Sequence, residues 1–239
     1  VLGDPSARAY VPGMSQTAPD PILDPDPTLD EVRAALAPVI PHHAAFDGWS
    51  DEALAAAAAE VGVPASVARL AFADGPAGMI DAWFAAIDRR MAATLPPERL
   101  AAMKIRARIT ALVMARLDTA APDREALRRA IAILALPSNA ARGLRLGWRA
   151  ADAMWHLAGD TATDIAHYTK RATLGGVYAA TMLVFLDDES EDYADTRAFL
   201  DRRISGIMRF EKLKGQLRPD PDRIFSPARL LGRLRYRVT

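Results

Sequence analysis

The chain has 239 residues, 30 basic and 30 acidic side chains and no cysteine. That length is enough to bury a substantial core, and zero formal charge gives no overall pull on a polyanion. The lack of cysteine excludes a disulfide framework, thiolate catalysis and a zinc–thiolate site.

Residues 1–27 are broken by Pro and Asp, carry no apolar run and read as a disordered leader, with nothing resembling a signal peptide. Thr28 followed three residues later by Glu31 is a capping-box pattern, so a first helix is expected over 29–39. His42 and His43 follow Pro41 and are expected in a loop as a solvated pair. Ser50 suits the cap of a helix at 51–61, Gly62 suits the left-handed residue ending it, and Pro64 can open another at 65–72. Helix, glycine turn and short helix make a helix-turn-helix-like head over 28–74, the arrangement used by repressors of the TetR type. Between residues 29 and 74, however, seven acids stand against Arg33 and Arg69 alone, a net −5. The second helix of the pair offers one cation, Arg69, and one hydroxyl, Ser66. A head of that charge repels phosphate, so it is expected to be kept for packing and to bind no nucleic acid.

Longer helices are expected at 76–95, 98–117, 123–134, 139–158, 161–186 and 193–210, punctuated by Pro96-Pro97, Pro122, Pro137, Gly159-Asp160 and the acidic loop 187–192. They make a body over 75–210. No segment alternates with period two, so no strand is expected and the fold class is all-α. Residues 211–225 read as a linker and 226–239 as a terminal amphipathic helix, with Ser226 as cap and Pro227 in its first turn. Leu230, Leu231 and Leu234 share one sector of that helix, whereas Arg229 and Arg233 lie outside it. Such a helix can lie in a bilayer interface, and these five residues are the expected membrane contact; docking on the body or on a dimer mate is the alternative.

Residues 136–171 gather Trp148, Trp155, Met154, His156, Asp160, Asp164, His167 and Tyr168, and residues 172–186 that follow carry no charge. A helix apolar on every side must be buried or face something apolar. The run is nevertheless shorter than the roughly 20 residues a membrane-spanning helix needs. Gly175, Gly176, Ala179 and Ala180 either let helices approach closely or leave space for a ligand, and composition leaves both open. Trp83, Phe84 and Trp148 are expected in the core. His156, Asp160 and Asp164 have helical spacing, but Gly159-Asp160 falls at a break, so the three share no face. No Glu-x-x-His pair, phosphate loop or nucleophile elbow occurs. No catalytic residue, metal or cofactor is therefore expected, and Asp160 and Asp164 read as helix caps or first-turn acids.

Met154-Trp155-His156, Ala158-Gly159-Asp160, Thr163-Asp164, Tyr168-Thr169, Arg171 and the run from Asp192 to Ile204 closely resemble the accessory proteins of ubiquinone (coenzyme Q) biosynthesis, the ninth of the Coq series. The resemblance extends over about residues 28–210, and the predominance of Arg over Lys suits a bacterial member. It implies a TetR-like fold without DNA binding and an apolar body cavity for an isoprenoid quinone or phospholipid. Gly175, Gly176, Tyr178, Ala179, Met182, Leu183 and Leu186 would line it. It also implies a surface patch for the di-iron demethoxyubiquinone hydroxylase, carried over to Met154, Trp155, Asp164, His167, Tyr168 and Arg171. The family often places Trp where this chain has His167, a departure at the patch's aromatic anchor. A homodimer, cytoplasmic and peripheral to the inner membrane (on the matrix face in a eukaryote), completes the expectation. The alternative is a TetR-type regulator answering to an apolar ligand.

Overall fold

A computed structural model describes residues 26–217 other than 162 and 164, and beyond residue 207 only the backbone of the last helix. The leader before residue 26, Asp164, the end of the expected linker and the terminal helix with Arg229, Leu230, Leu231, Arg233 and Leu234 lie outside the described residues. Among the described residues the regular structure is entirely helical.

The head begins with α1 (Leu29–Leu36), where Thr28 and Glu31 form the reciprocal capping box. The expected first helix is shorter and is followed by α2 (Ile40–Asp47). Pro38 explains the break, since it has no N–H to extend the ladder, whereas Pro41 sits in the first turn of α2 where none is needed. Helices α3 (Asp51–Val61) and α4 (Ala65–Ala71) follow as read, with the Ser50 hydroxyl accepting from the Ala53 N–H and Gly62 left-handed at φ +79°.

The body comprises α5 (Gly75–Thr94), α6 (Pro97–Ala101), α7 (Ile105–Ala120), α8 (Arg124–Leu134), α9 (Ala140–Leu157), α10 (Ile165–Leu186) and α11 (Ala194–Leu217). Where one helix was expected over 98–117 there are two. Arg108 stabilises the break from inside α7, donating to the free carbonyls of Met103 (2.9 Å) and Ala101 (3.2 Å). Helix α11 runs through Leu217, into the expected linker, because residues 211–217 (EKLKGQL) are mostly good helix formers.

Head and body share one contiguous core that includes Leu36, Leu54, Ile80, Leu117, Met154, Phe185 and Leu200. The joint is built from Trp49, whose ring centroid lies 5.4 Å from that of Trp83 and whose indole N–H donates to the Ala126 carbonyl at 3.0 Å. His42 and His43, expected in a loop, are helical, and the His42 side chain remains more than half exposed. Both lie in α2, with His42 against the buried Asp123 and His43 2.9 Å from Glu60. Deeper in the body the fully buried Arg116 is paired with Asp88, and its guanidinium lies 5.1 Å from the Tyr178 ring centroid.

Candidate functional site

Helices α9 and α10 fold back on each other as a hairpin. Gly159, left-handed at φ +89°, ends α9 and lets the chain reverse. The two helices close on small residues: a Cβ built at Gly175 would meet Ala151 Cβ and the Gly147 carbonyl, both at 3.9 Å. Of the two roles open to the small residues, Gly175 fills the first.

Arg171 organises the turn end of the hairpin. It is 3% exposed and donates to Asp152 at 2.5 Å, to Asp160 at 3.1 Å and to the His167 carbonyl at 3.2 Å. Burial works against its charge, but the hydrogen bonds and negative charge of Asp152 and Asp160 prevail and raise its pKa above the usual guanidinium value. Asp160, read as a helix cap or first-turn acid, binds Lys170 at 2.6 Å as well as Arg171. The Trp155 indole N–H donates to the Lys170 carbonyl at 3.0 Å, and the Lys170 ammonium lies 5.4 Å from the Trp155 ring centroid. These contacts fix the hairpin's geometry from a buried guanidinium and carboxylate, Arg171 and Asp160, outward to the part-exposed Asp152 and Lys170.

On this base stands an exposed aromatic strip. Tyr168 is 63% exposed, with its ring 5.1 Å from His167 and 6.1 Å from Trp148. Ile165 (83% exposed) and Leu144 (77% exposed) are large apolar side chains on the same two helices. Of the residues carried over as a partner patch, Tyr168 faces solvent and Trp155 and His167 are half-buried. Met154 and Arg171 are buried, so they support the surface and do not form it. Trp148, expected in the core, belongs to the strip. The available signal was a surplus stripe. Leu146, Ala150 and Met154 already supply α9 with a buried face, which leaves Leu144, Trp148 and Trp155 as a second apolar row.

The uncharged part of α10 is one-sided. Leu174, Tyr178, Thr181, Phe185 and Leu186 point inward, whereas Ala172, Gly176, Ala179 and Leu183 form an open outer row, and a Cβ on Gly176 would meet nothing within 4 Å. The expected lipid-lining residues therefore do not face one space. Tyr178 and Leu186 are in the core, Gly175 and Met182 are half-buried, and Gly176, Ala179 and Leu183 are on the surface. A cleft of about 340 Å³ at the other end of α10 is polar, lined by Arg124, Glu125, Arg128, Leu186, Asp187 and Glu189.

A helix-turn-helix-like head merged into a helical body defines the TetR-like class. The crystal structure of a TetR transcriptional regulator from Nitrosomonas europaea superposes with a TM-score of 0.60 at 26% identity, over 74% of this chain and 98% of that one. Residues 140–211, which hold the α9–α10 hairpin and most of α11, match the COQ9 family model. The rat ubiquinone biosynthesis protein COQ9, mitochondrial, is 34% identical over 184 residues, covering 74% of this chain and 57% of its own length. COQ9-B of Xenopus laevis is 46% identical over 96 residues, covering 40% and 33%. Over its hairpin segment the chain matches the COQ9 family, as the sequence resemblance implies. It spans little more than half the length of the rat relative.

Proposed function

We propose that this chain is a non-enzymatic, lipid-binding accessory protein of ubiquinone biosynthesis, which takes up an isoprenoid quinone intermediate and presents it to the demethoxyubiquinone hydroxylase. The observation that carries the reading is the outer face of α10. Gly176, Ala179 and Leu183 lie in a 15-residue stretch without a charge, yet they are open to solvent. An uncharged, exposed helix face next to an aromatic strip calls for an apolar partner. Each methylene of an isoprenoid tail laid against it gains about 0.8 kcal/mol relative to water, which offsets its extraction from a bilayer. The tail is thus assigned to the open row beside Met182 and not to a sleeve enclosed within the body. The neighbouring strip of Trp148, His167 and Tyr168 is the surface offered to the hydroxylase. Homodimerisation, and peripheral membrane association through the segment 226–239, belong to the same reading. Among the described residues no helix is long and apolar enough to cross a membrane.

Organic extraction of the purified protein followed by mass spectrometry tests the reading. An isoprenoid quinone or phospholipid is expected from the wild type, and much less from Leu183→Asp, whose altered side chain lies on the surface. Protein that yields no lipid, or a Leu183→Asp variant that retains the wild-type amount, would remove α10 as the binding face.

A further inference from the structure

Residues 89–108, which run from the last turns of α5 through α6 into the first turn of α7, carry six cations against Glu98 alone, a net +5. Arg89, Arg90, Arg99, Lys104 and Arg106 are exposed. Arg106 pairs with Asp201, which brings the exposed Arg202 and Arg203 of α11 to the same end. Arg108 donates to the Ala158 carbonyl at 2.8 Å and so ties this turn to the close of α9. Among the described residues the charged groups of Arg89, Arg90, Arg99 and Lys104 have no hydrogen-bond or ion-pair partner. Four like charges within residues 89–104 add repulsion and no compensating ion pair among the described residues.

Pro96, Pro97, Ala101, Ala102 and Ile105 are exposed between these cations. The head packs on α5 at Trp83, and from there α5 runs on to Thr94, about 16 Å further; the head carries −5. The molecule is therefore polarised along its length.

We propose that the α5–α6–α7 end docks on an anionic lipid surface, with the cations at the headgroups, Ile105 and the two prolines at the acyl boundary, and the acidic head turned away. Cations around a small apolar tip match a bilayer interface. Nucleic acid fits less well, because residues 89–108 contain no aromatic side chain to stack on bases and no Asn, Gln or Ser to read them. The inference takes its biological sense from the lipid-handling reading, but it is measured separately from bound lipid.

The test is sedimentation of the full chain with phosphatidylcholine vesicles, with and without phosphatidylglycerol. Wild type is expected to bind the anionic vesicles in a salt-sensitive way. The variant R89E/R90E/R99E/K104E should bind them at least about tenfold less well while its helicity and extractable lipid stay unchanged. The corresponding fourfold Gln variant, which removes charge without reversing it, should fall between. A chain truncated after residue 225 should keep a component of binding that the fourfold Glu change removes. The proposal is overturned if the charge-reversed protein sediments like wild type, if neutral vesicles bind equally well, if truncation alone abolishes binding, or if wild type prefers duplex DNA to the vesicles.

Discussion

Arg171, Asp152 and Asp160 form a charge cluster in which the guanidinium and the Asp160 carboxylate are both buried. Removing one member of such a cluster leaves the others unmatched away from water, which is what makes the loss large. Arg171→Ala is expected to cost about 3 kcal/mol in urea unfolding, and Asp160→Asn to cost less because its amide still accepts one hydrogen bond. Tyr168→Ala, a few residues away, should change stability by no more than about 0.5 kcal/mol, since the ring is exposed. It should instead weaken hydroxylase binding by about 2 kcal/mol, roughly thirtyfold, as truncation of an aromatic anchor does. Calorimetric titration of the folded variants against the hydroxylase reads this directly. Equal affinity for Tyr168→Ala and wild type would remove the aromatic strip from the interface. Trp148 and Trp155 illustrate why sequence spacing alone did not sort these residues. Both lie on α9, yet the first is exposed, while the second is held by the Lys170 carbonyl, which belongs to α10.

Helix α11 depends on a single carboxylate at its entry. Asp188 is buried, which on its own would raise its pKa, but the hydroxyls and backbone N–H groups of Ser190 and Thr196 all donate to it. Those bonds prevail and hold the pKa at about 2. An Asp in the unfolded chain titrates near 3.9, so the folded value is the lower one. The contribution is therefore fully present above about pH 4 and is lost as pH falls through about 2. Between about pH 5 and pH 2 the wild type should lose roughly 1–2 kcal/mol more stability than Asp188→Asn, measured as urea midpoints at several pH values. Parallel pH profiles for the two proteins would show that the carboxylate's charge does not hold this entry. Just beyond it Asp192 and Tyr193 are both left-handed, at φ +52° and +55°, and the Tyr193 ring packs 4.8 Å from Phe185. The helices themselves were legible from caps and prolines. Their exact breaks were not, because Arg108 and the α9 backbone that it reaches decide where α6 stops and α7 starts.

Across the whole molecule the acidic head was readable from its composition, and so was the lack of strands. The basic end was equally present in residues 89–108, but became a surface only when the fold showed its cations exposed and without partners. The uncharged stretch of α10 was also visible in the sequence. Which side of it faces out was not, because burial on one face depends on how closely α9 packs against Gly175 and on Arg116 lying against Tyr178. That outward face supports an account in which lipid is carried on the molecule and handed to an enzyme bound next to it. The most direct measurement is the rate at which the purified hydroxylase converts demethoxyubiquinone embedded in vesicles, with and without this protein. The account predicts a higher rate with wild type. It also predicts little increase with Leu183→Asp, even though that variant still binds the hydroxylase through Trp148 and Tyr168. A rate unchanged by wild type, or raised equally by Leu183→Asp, would contradict it.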